Sequence, residues 1–73
     1  MLLELSALQF KTNINCGGCV AKVTPFLNQL EEVENWKVDT ANPDKILTVV
    51  GEDLTCELVE TTVKQAGFEI ELV

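Results

Sequence analysis

Apolar and polar positions alternate from residue 5 to residue 14. Leu8, Phe10, Thr12 and Ile14 share one face, and Gln9, Lys11 and Asn13 share the other. Period two with a polar outer face predicts a half-buried β-strand. Gly17 and Gly18 end it, and from Cys19 the period lengthens. Val20, Val23, Leu27 and Leu30 follow helical spacing, with Phe26 beside the stripe. Pro25 falls inside this segment. A proline within a helix removes one hydrogen bond and costs about 3 kcal/mol. Two starts are therefore open. The helix begins near Gly17 and kinks, or it begins at Pro25 with Thr24 as its cap. The first is favoured, because the apolar stripe already runs through Val20 and Val23.

Residues 33 to 40 read as a second strand, with Trp36 and Val38 inward and Lys37 and Asp39 outward. Thr-Ala-Asn-Pro-Asp-Lys is turn chemistry. Residues 45 to 50 form a third strand, with Leu47 and Val49 inward. Asp53 or Thr55 then offers an N-cap for a second amphipathic helix over residues 55 to 66. Leu58, Val59, Thr62, Val63 and Ala66 lie along its apolar side. Gly67 suits the position after a helix end. Phe68, Ile70 and Leu72 alternate with Glu69 and Glu71 as the last strand.

The element order is β-α-β-β-α-β. It predicts an α+β fold of the ferredoxin-like, split-βαβ kind: a four-stranded antiparallel sheet with two helices on one face and right-handed crossovers. No repeat, linker or low-complexity segment interrupts it, and residues 1–73 read as a single domain. A chain of this size buries about 60% of its unfolded surface, so its stability is modest.

Charge narrows the function classes. Twelve acidic residues face 5 basic ones, for a net charge of −7. Nucleic-acid binders carry a basic stripe, and none is present. The balance favours a basic docking partner, although acidity also serves solubility alone. The N-terminal Met-Leu-Leu-Glu-Leu lacks the basic start and small-residue cleavage site of a signal peptide. No apolar run reaches the roughly 20 residues of a membrane span. The chain starts with methionine and fills one domain, so it is expected to be free-standing and cytoplasmic.

Candidate chemistry rests on three cysteines and no histidine. Cys16 and Cys19 bracket Gly17 and Gly18 in the loop after the first strand. Topology places the 40–45 and 67–68 turns at that same end and Cys56 at the other. The second helix, about 11 residues long, spans some 16 Å, so Cys56 cannot share an ion with the pair inside one chain. It reads as a small residue near a helix start, with a redox or crosslinking role as the alternative. A helix N-terminus presents open N–H groups and positive charge, which favour thiolate. The glycines let backbone N–H groups approach the sulfurs. Two thiolates suit a soft ion taking few ligands, and copper(I) matches. Mercury(II) is expected to behave similarly. Zinc prefers four ligands in a closed site and would need a dimer or added oxygens.

The stretch from the first strand through Ile14-Asn15-Cys16-Gly17-Gly18-Cys19-Val20 resembles the metal-binding signature of the heavy-metal-associated domain family. That family includes copper chaperones, the N-terminal domains of copper-transporting P-type ATPases, and mercury-binding relatives. Its motif is Met-x-Cys-x-x-Cys on a βαββαβ fold. The likeness covers the whole chain, with Gly67-Phe68 matching the Gly-Tyr/Phe segment after the second helix. The resemblance implies that Cys16 and Cys19 are the metal ligands and that the Phe68 ring packs under the metal loop. Ile14 stands where the family usually has a buried methionine that tethers the loop. An apolar replacement should hold there, though isoleucine is stiffer. Asn15 stands where zinc-exporting relatives often place an aspartate ligand, and a neutral amide weakens the zinc reading.

These readings point to a soft-metal carrier, not an enzyme. Copper(I) delivery by thiolate exchange comes first. The partner implied is a metal-transporting P-type ATPase or another Cys-x-x-Cys domain. Sequestration or binding of mercury, zinc or cadmium stays open, as does a metal-bridged homodimer. A small thiol–disulfide protein is the remaining alternative. Glutaredoxin-like folds need a cis-proline near the thiols, and Pro43 lies instead in the turn between strands 2 and 3.

Overall fold

The computed structural model describes residues 6–15 and 17–73. Its elements run β1 (Ser6–Thr12), α1 (Gly17–Asn28), β2 (Val33–Asp39), β3 (Ile46–Gly51), α2 (Cys56–Gln65) and β4 (Ile70–Leu72). The strands form one antiparallel sheet in the order β2-β3-β1-β4. This is the expected α+β, ferredoxin-like architecture.

Register explains how the core assembles. Leu8 pairs with Val49 and Phe10 with Leu47 across β1 and β3. Trp36 pairs with Val49 and Val38 with Leu47 across β2 and β3. Paired residues share a face, so these side chains line one side of the sheet. Phe10, Leu47 and Val49 are fully buried there with Val23 and Leu27 of α1 and Val59 and Val63 of α2. The alternation seen along the strands and the stripes along the helices meet in one core. Gln9, Thr48 and Lys37 share a level on the opposite face.

Helix α1 begins at Gly17 and carries Pro25 inside it. Thr24 is no cap, since its hydroxyl donates to the Val20 carbonyl at 2.7 Å. Proline deprives the carbonyl of Ala21 of its donor. Both Pro25 and Ala21 are exposed, so water can take the missing place. At the C-terminal end of α1, Asn28 accepts the Trp36 indole N–H at 3.0 Å, which joins the helix to β2.

Helix α2 has defined ends. Thr55, in extended conformation, accepts the Leu58 N–H on its hydroxyl at 3.1 Å. Asp53, the other candidate cap, sits instead in the left-handed region at φ 56°. Thr55→Ala is expected to remove about 1 kcal/mol of stability, a fall of roughly 4–8 °C in Tm by circular dichroism. At the other end Gly67 adopts φ 93°. Its N–H donates to the Lys64 carbonyl and the Phe68 N–H donates to that of Val63. This is a Schellman closure, for which glycine is the residue without steric cost.

The last strand is shorter than its alternation suggests. It starts at Ile70, not at Phe68. The Phe68 N–H is taken by the helix closure, and the Glu69 N–H donates to Asn13 Oδ1 at 2.9 Å. Neither amide remains for a ladder. Leu72 lies opposite Phe10 yet is 49% exposed, on the edge strand of the sheet.

At the far end of the sheet, β2 and β3 pair with a bulge at Glu34, where register slips between Val33 and Asn35. Beside it Gly51 is buried. A Cβ at Gly51 would fall 1.8 Å from the Glu32 carbonyl oxygen. Two stretches of backbone therefore meet where no side chain fits.

Candidate metal centre

The loop after β1 is fastened from below before it reaches the thiols. The Thr12 N–H donates to the Asp44 carbonyl at 3.2 Å. The Thr12 hydroxyl donates to the Lys45 carbonyl at 2.7 Å and accepts the Ile14 N–H at 3.2 Å. Asn13 holds the turn after α2 through Glu69. The β2–β3 turn and the α2–β4 turn thus both close on this loop, at the end of the sheet that topology assigned to the cysteines. Ile14 has left the strand but is fully buried. Its side chain anchors the loop in the core, as an apolar residue at that position should.

Above the anchor the residues turn to solvent. Asn15, Gly17 and Gly18 are exposed, and Cys19 is half-buried in the first turn of α1. The Cys19 thiol donates to Asn15 Oδ1 at 3.6 Å. A side chain at Gly17 would meet nothing within 4 Å, so packing does not demand glycine there. Cys16 lies outside the described residues. Phe68 is half-buried and, like Cys19, packs against the core. The Lys22 ammonium sits 5.8 Å from the Phe68 ring centroid, a cation–π contact.

Cys56 is the first residue of α2 and carries a half-buried free thiol. It follows Gly51, which pairs with Ser6 at the start of β1, so it stands at the opposite end from Asn13 and Ile14. Among the described residues no group of three or more Cys, Asp or Glu comes together as a metal cage.

Three supporting residues are not singled out by the motif. Thr12 reads in sequence only as an inward strand residue, Asn13 as an outward one, and Lys22 as a solvated helix residue. A hydroxyl and an amide at the last positions of a strand, just before a thiol loop, are the signal available for the first two. Nothing in the sequence pairs Lys22 with Phe68, because that contact joins α1 to a turn after α2.

The heavy-metal-associated domain model matches residues 9–69. The chain belongs to the heavy-metal-associated domain family. Its matched span contains Cys16, Cys19 and Phe68. Solved structures agree in fold. The chain is similar to the apo form of the heavy-metal-associated domain of a copper chaperone for superoxide dismutase, with 22% identity, 97% of this chain and 69% of that one covered, and a TM-score of 0.79. It is similar to the copper(I)-loaded first domain of the human copper chaperone for SOD1, with 23% identity, 94% and 93% covered, and a TM-score of 0.77. It is also similar to the N-terminal domain of ZntA in its Zn(II) form, with 22% identity, 90% and 89% covered, and a TM-score of 0.75. At these identities the likeness speaks for the fold. No curated protein matches the chain. As a heavy-metal-associated domain it has metal-binding chemistry. Among its described residues no helix is long and apolar enough to cross a membrane.

Proposed function

We propose that this domain carries one copper(I) ion between the thiolates of Cys16 and Cys19 and hands it on by ligand exchange. The observation that carries the reading is the position of Cys19. Its sulfur sits in the first turn of α1, above a loop pinned by Thr12, Asn13 and buried Ile14. The helix end supplies positive charge to a thiolate. The pinned base lets the two sulfurs close on an ion with little reordering of the chain beneath. Soft sulfur donors favour copper(I) among available ions.

Delivery follows from the small donor set. A thiol of the partner enters at the open position of a two-coordinate ion. A three-coordinate intermediate forms, and one of the original sulfurs leaves. No substrate bond is made or broken, so the domain acts as a carrier and not as an enzyme. The partner is a metal-transporting P-type ATPase or another Cys-x-x-Cys domain, and the exchange takes place in the cytoplasm. Cys56, at the far end of α2, plays no part in the monomer's site.

The test is an anaerobic competition titration of the reduced protein with copper(I), zinc(II) and mercury(II), joined to X-ray absorption at the metal edge. One copper(I) per chain on two sulfurs near linear geometry is expected. A preference for zinc, or no metal and a readily reversible disulfide, would defeat the reading.

Asn15 bears on zinc directly, since its Oδ1 lies 3.6 Å from the Cys19 sulfur. An amide oxygen is a neutral and poor donor, whereas a carboxylate there would add a hard ligand. Asn15→Asp is expected to raise zinc affinity by about tenfold, roughly 1.4 kcal/mol, and to leave copper(I) affinity nearly unchanged. Parallel competition titrations of the two proteins check this.

A further inference from the structure

We infer, building on the carrier reading above, that Thr12 and Lys45 act together as positioning residues for the thiol loop. A strained turn that bears no ligand thereby sets how firmly the domain keeps its ion.

Strands β1 and β3 pair regularly from Ser6 opposite Gly51 to Lys11 opposite Ile46. Thr12 would next face Lys45. Its N–H goes instead to the Asp44 carbonyl at 3.2 Å, while its hydroxyl reaches the Lys45 carbonyl at 2.7 Å. Two residues of the β2–β3 turn thus stand against one residue of β1, the count of a β-bulge. Bulges bend the strands they interrupt and recur next to functional sites, where they re-aim side chains.

Lys45 makes this bulge. Its φ is 46°, in the left-handed region that a residue with a side chain enters rarely and at a cost. Such strain persists only where the surroundings over-determine it. Here the Lys45 N–H donates to the Asn42 carbonyl at 2.9 Å. Its ammonium donates to the Thr40 carbonyl at 2.6 Å, and Asn42 Oδ1 accepts the Asp44 N–H at 2.8 Å. The turn is locked from within, and the Lys45 carbonyl looks across to β1.

The Thr12 hydroxyl has one proton and donates it to that carbonyl. Its lone pairs accept the Ile14 N–H at 3.2 Å. A side-chain oxygen bonded two residues on turns the backbone, and here the chain leaves β1 with Ile14 fully buried. The turn's conformation and the loop's direction therefore meet on one oxygen. The Lys11–Asp44 ion pair also joins turn to strand, but at 3.7 Å and with side chains 49% and 54% exposed it contributes little. Without the hydroxyl the loop leaves β1 in several directions, and the donor arrangement must be ordered again at each capture of an ion.

Two measurements on the reduced full chain test this: release of copper(I) to an excess of chromogenic chelator, and amide hydrogen exchange without metal. Thr12→Val keeps the side chain's shape and loses the hydroxyl. It should release copper(I) roughly five- to tenfold faster, the factor that one lost hydrogen bond carries. Its Ile14 amide should exchange at least about tenfold faster, while Val49, buried on β3, follows only the change in global stability. Thr12→Ser keeps the hydroxyl and should stay within about twofold of the parent. Lys45→Gly takes the left-handed angle freely and should also release like the parent. Lys45→Val resists that angle and should reproduce Thr12→Val, the two together being no worse than either alone. Gly51→Ala, a strain at the far end of the sheet, controls for lost stability and should keep the parental release rate. Should Thr12→Val not fold, the two Lys45 variants carry the test. Parental release from Thr12→Val, release that merely tracks Tm with Gly51→Ala included, or Lys45→Val behaving as Lys45→Gly would overturn the inference. A parent chain that captures no copper(I) would strike the carrier reading instead, and exchange at Ile14 would then decide whether the hydroxyl sets the loop.

Discussion

Cys19→Ser is expected to lower copper(I) affinity by at least about a thousandfold, roughly 4 kcal/mol, while the circular dichroism spectrum stays that of the folded protein. A serine oxygen is a hard, protonated donor at neutral pH, and copper(I) selects soft sulfur. With two thiolates in the proposed site, one substitution removes half of the donors. The fold should tolerate the change. Cys19 is only half-buried, in the first turn of α1, and the residues that pin the loop, Thr12, Asn13 and Ile14, precede it. Cys56→Ser is the matching control and should leave affinity unchanged. Copper(I) competition against a chelator of known affinity measures all three proteins. A Cys19→Ser chain that bound copper(I) like the parent would remove the two-thiolate site from consideration.

Gly51→Ala is expected to be the most damaging single methyl that can be added to the far end of the sheet. The new Cβ would lie 1.8 Å from the Glu32 carbonyl oxygen and 3.1 Å from the Glu34 nitrogen. These are backbone atoms, so no side chain can rotate away. Relief requires β2 to shift at its bulge, and overpacking of this kind costs about 1–3 kcal/mol. In a domain of this size that is a fall of roughly 5–20 °C in Tm. The metal stoichiometry of the folded fraction should not change, because the clash is at the opposite end from the loop. A variant as stable as the parent would mean that the two backbones are not held together as described.

The two substitutions also mark what a single sequence can and cannot disclose. Periodicity places Phe10, Ile14, Val23, Leu27, Leu47, Val49, Val59 and Val63 inward, and all are buried. Periodicity works there because each element has one wet face and one dry one. The apolar stripe through Val20 and Val23 outweighs Pro25, and α1 does begin at Gly17. Residue type does not separate Asp53 from Thr55, since both cap helices, and only the backbone angle at Asp53 excludes it. Side-chain alternation places the start of β4 at Phe68, but the strand begins at Ile70 because the amides of Phe68 and Glu69 bond elsewhere. Gly51 gave no warning, because the carbonyl that forbids a side chain there comes from another part of the chain. The site divides the same way. Spacing and residue type single out the thiols, whereas the bonds of Thr12 and Asn13 and the reach of Lys22 to Phe68 depend on which turns the sheet order brings together.

The bulge at Glu34 has a meaning for how copies of this chain treat one another. Strand β2 is an outer strand of the sheet, with seven residues and one row of main-chain groups facing outward. Such a border invites a second sheet to add on, the first step toward fibrils. Here the irregular step at Glu34 bends that border, and the alternating charges of Glu34, Lys37 and Asp39 make a flat continuation costly. The opposite border, β4, has three residues, too few to template much. A crowded solution of this protein should therefore resist sheet-to-sheet stacking at either border.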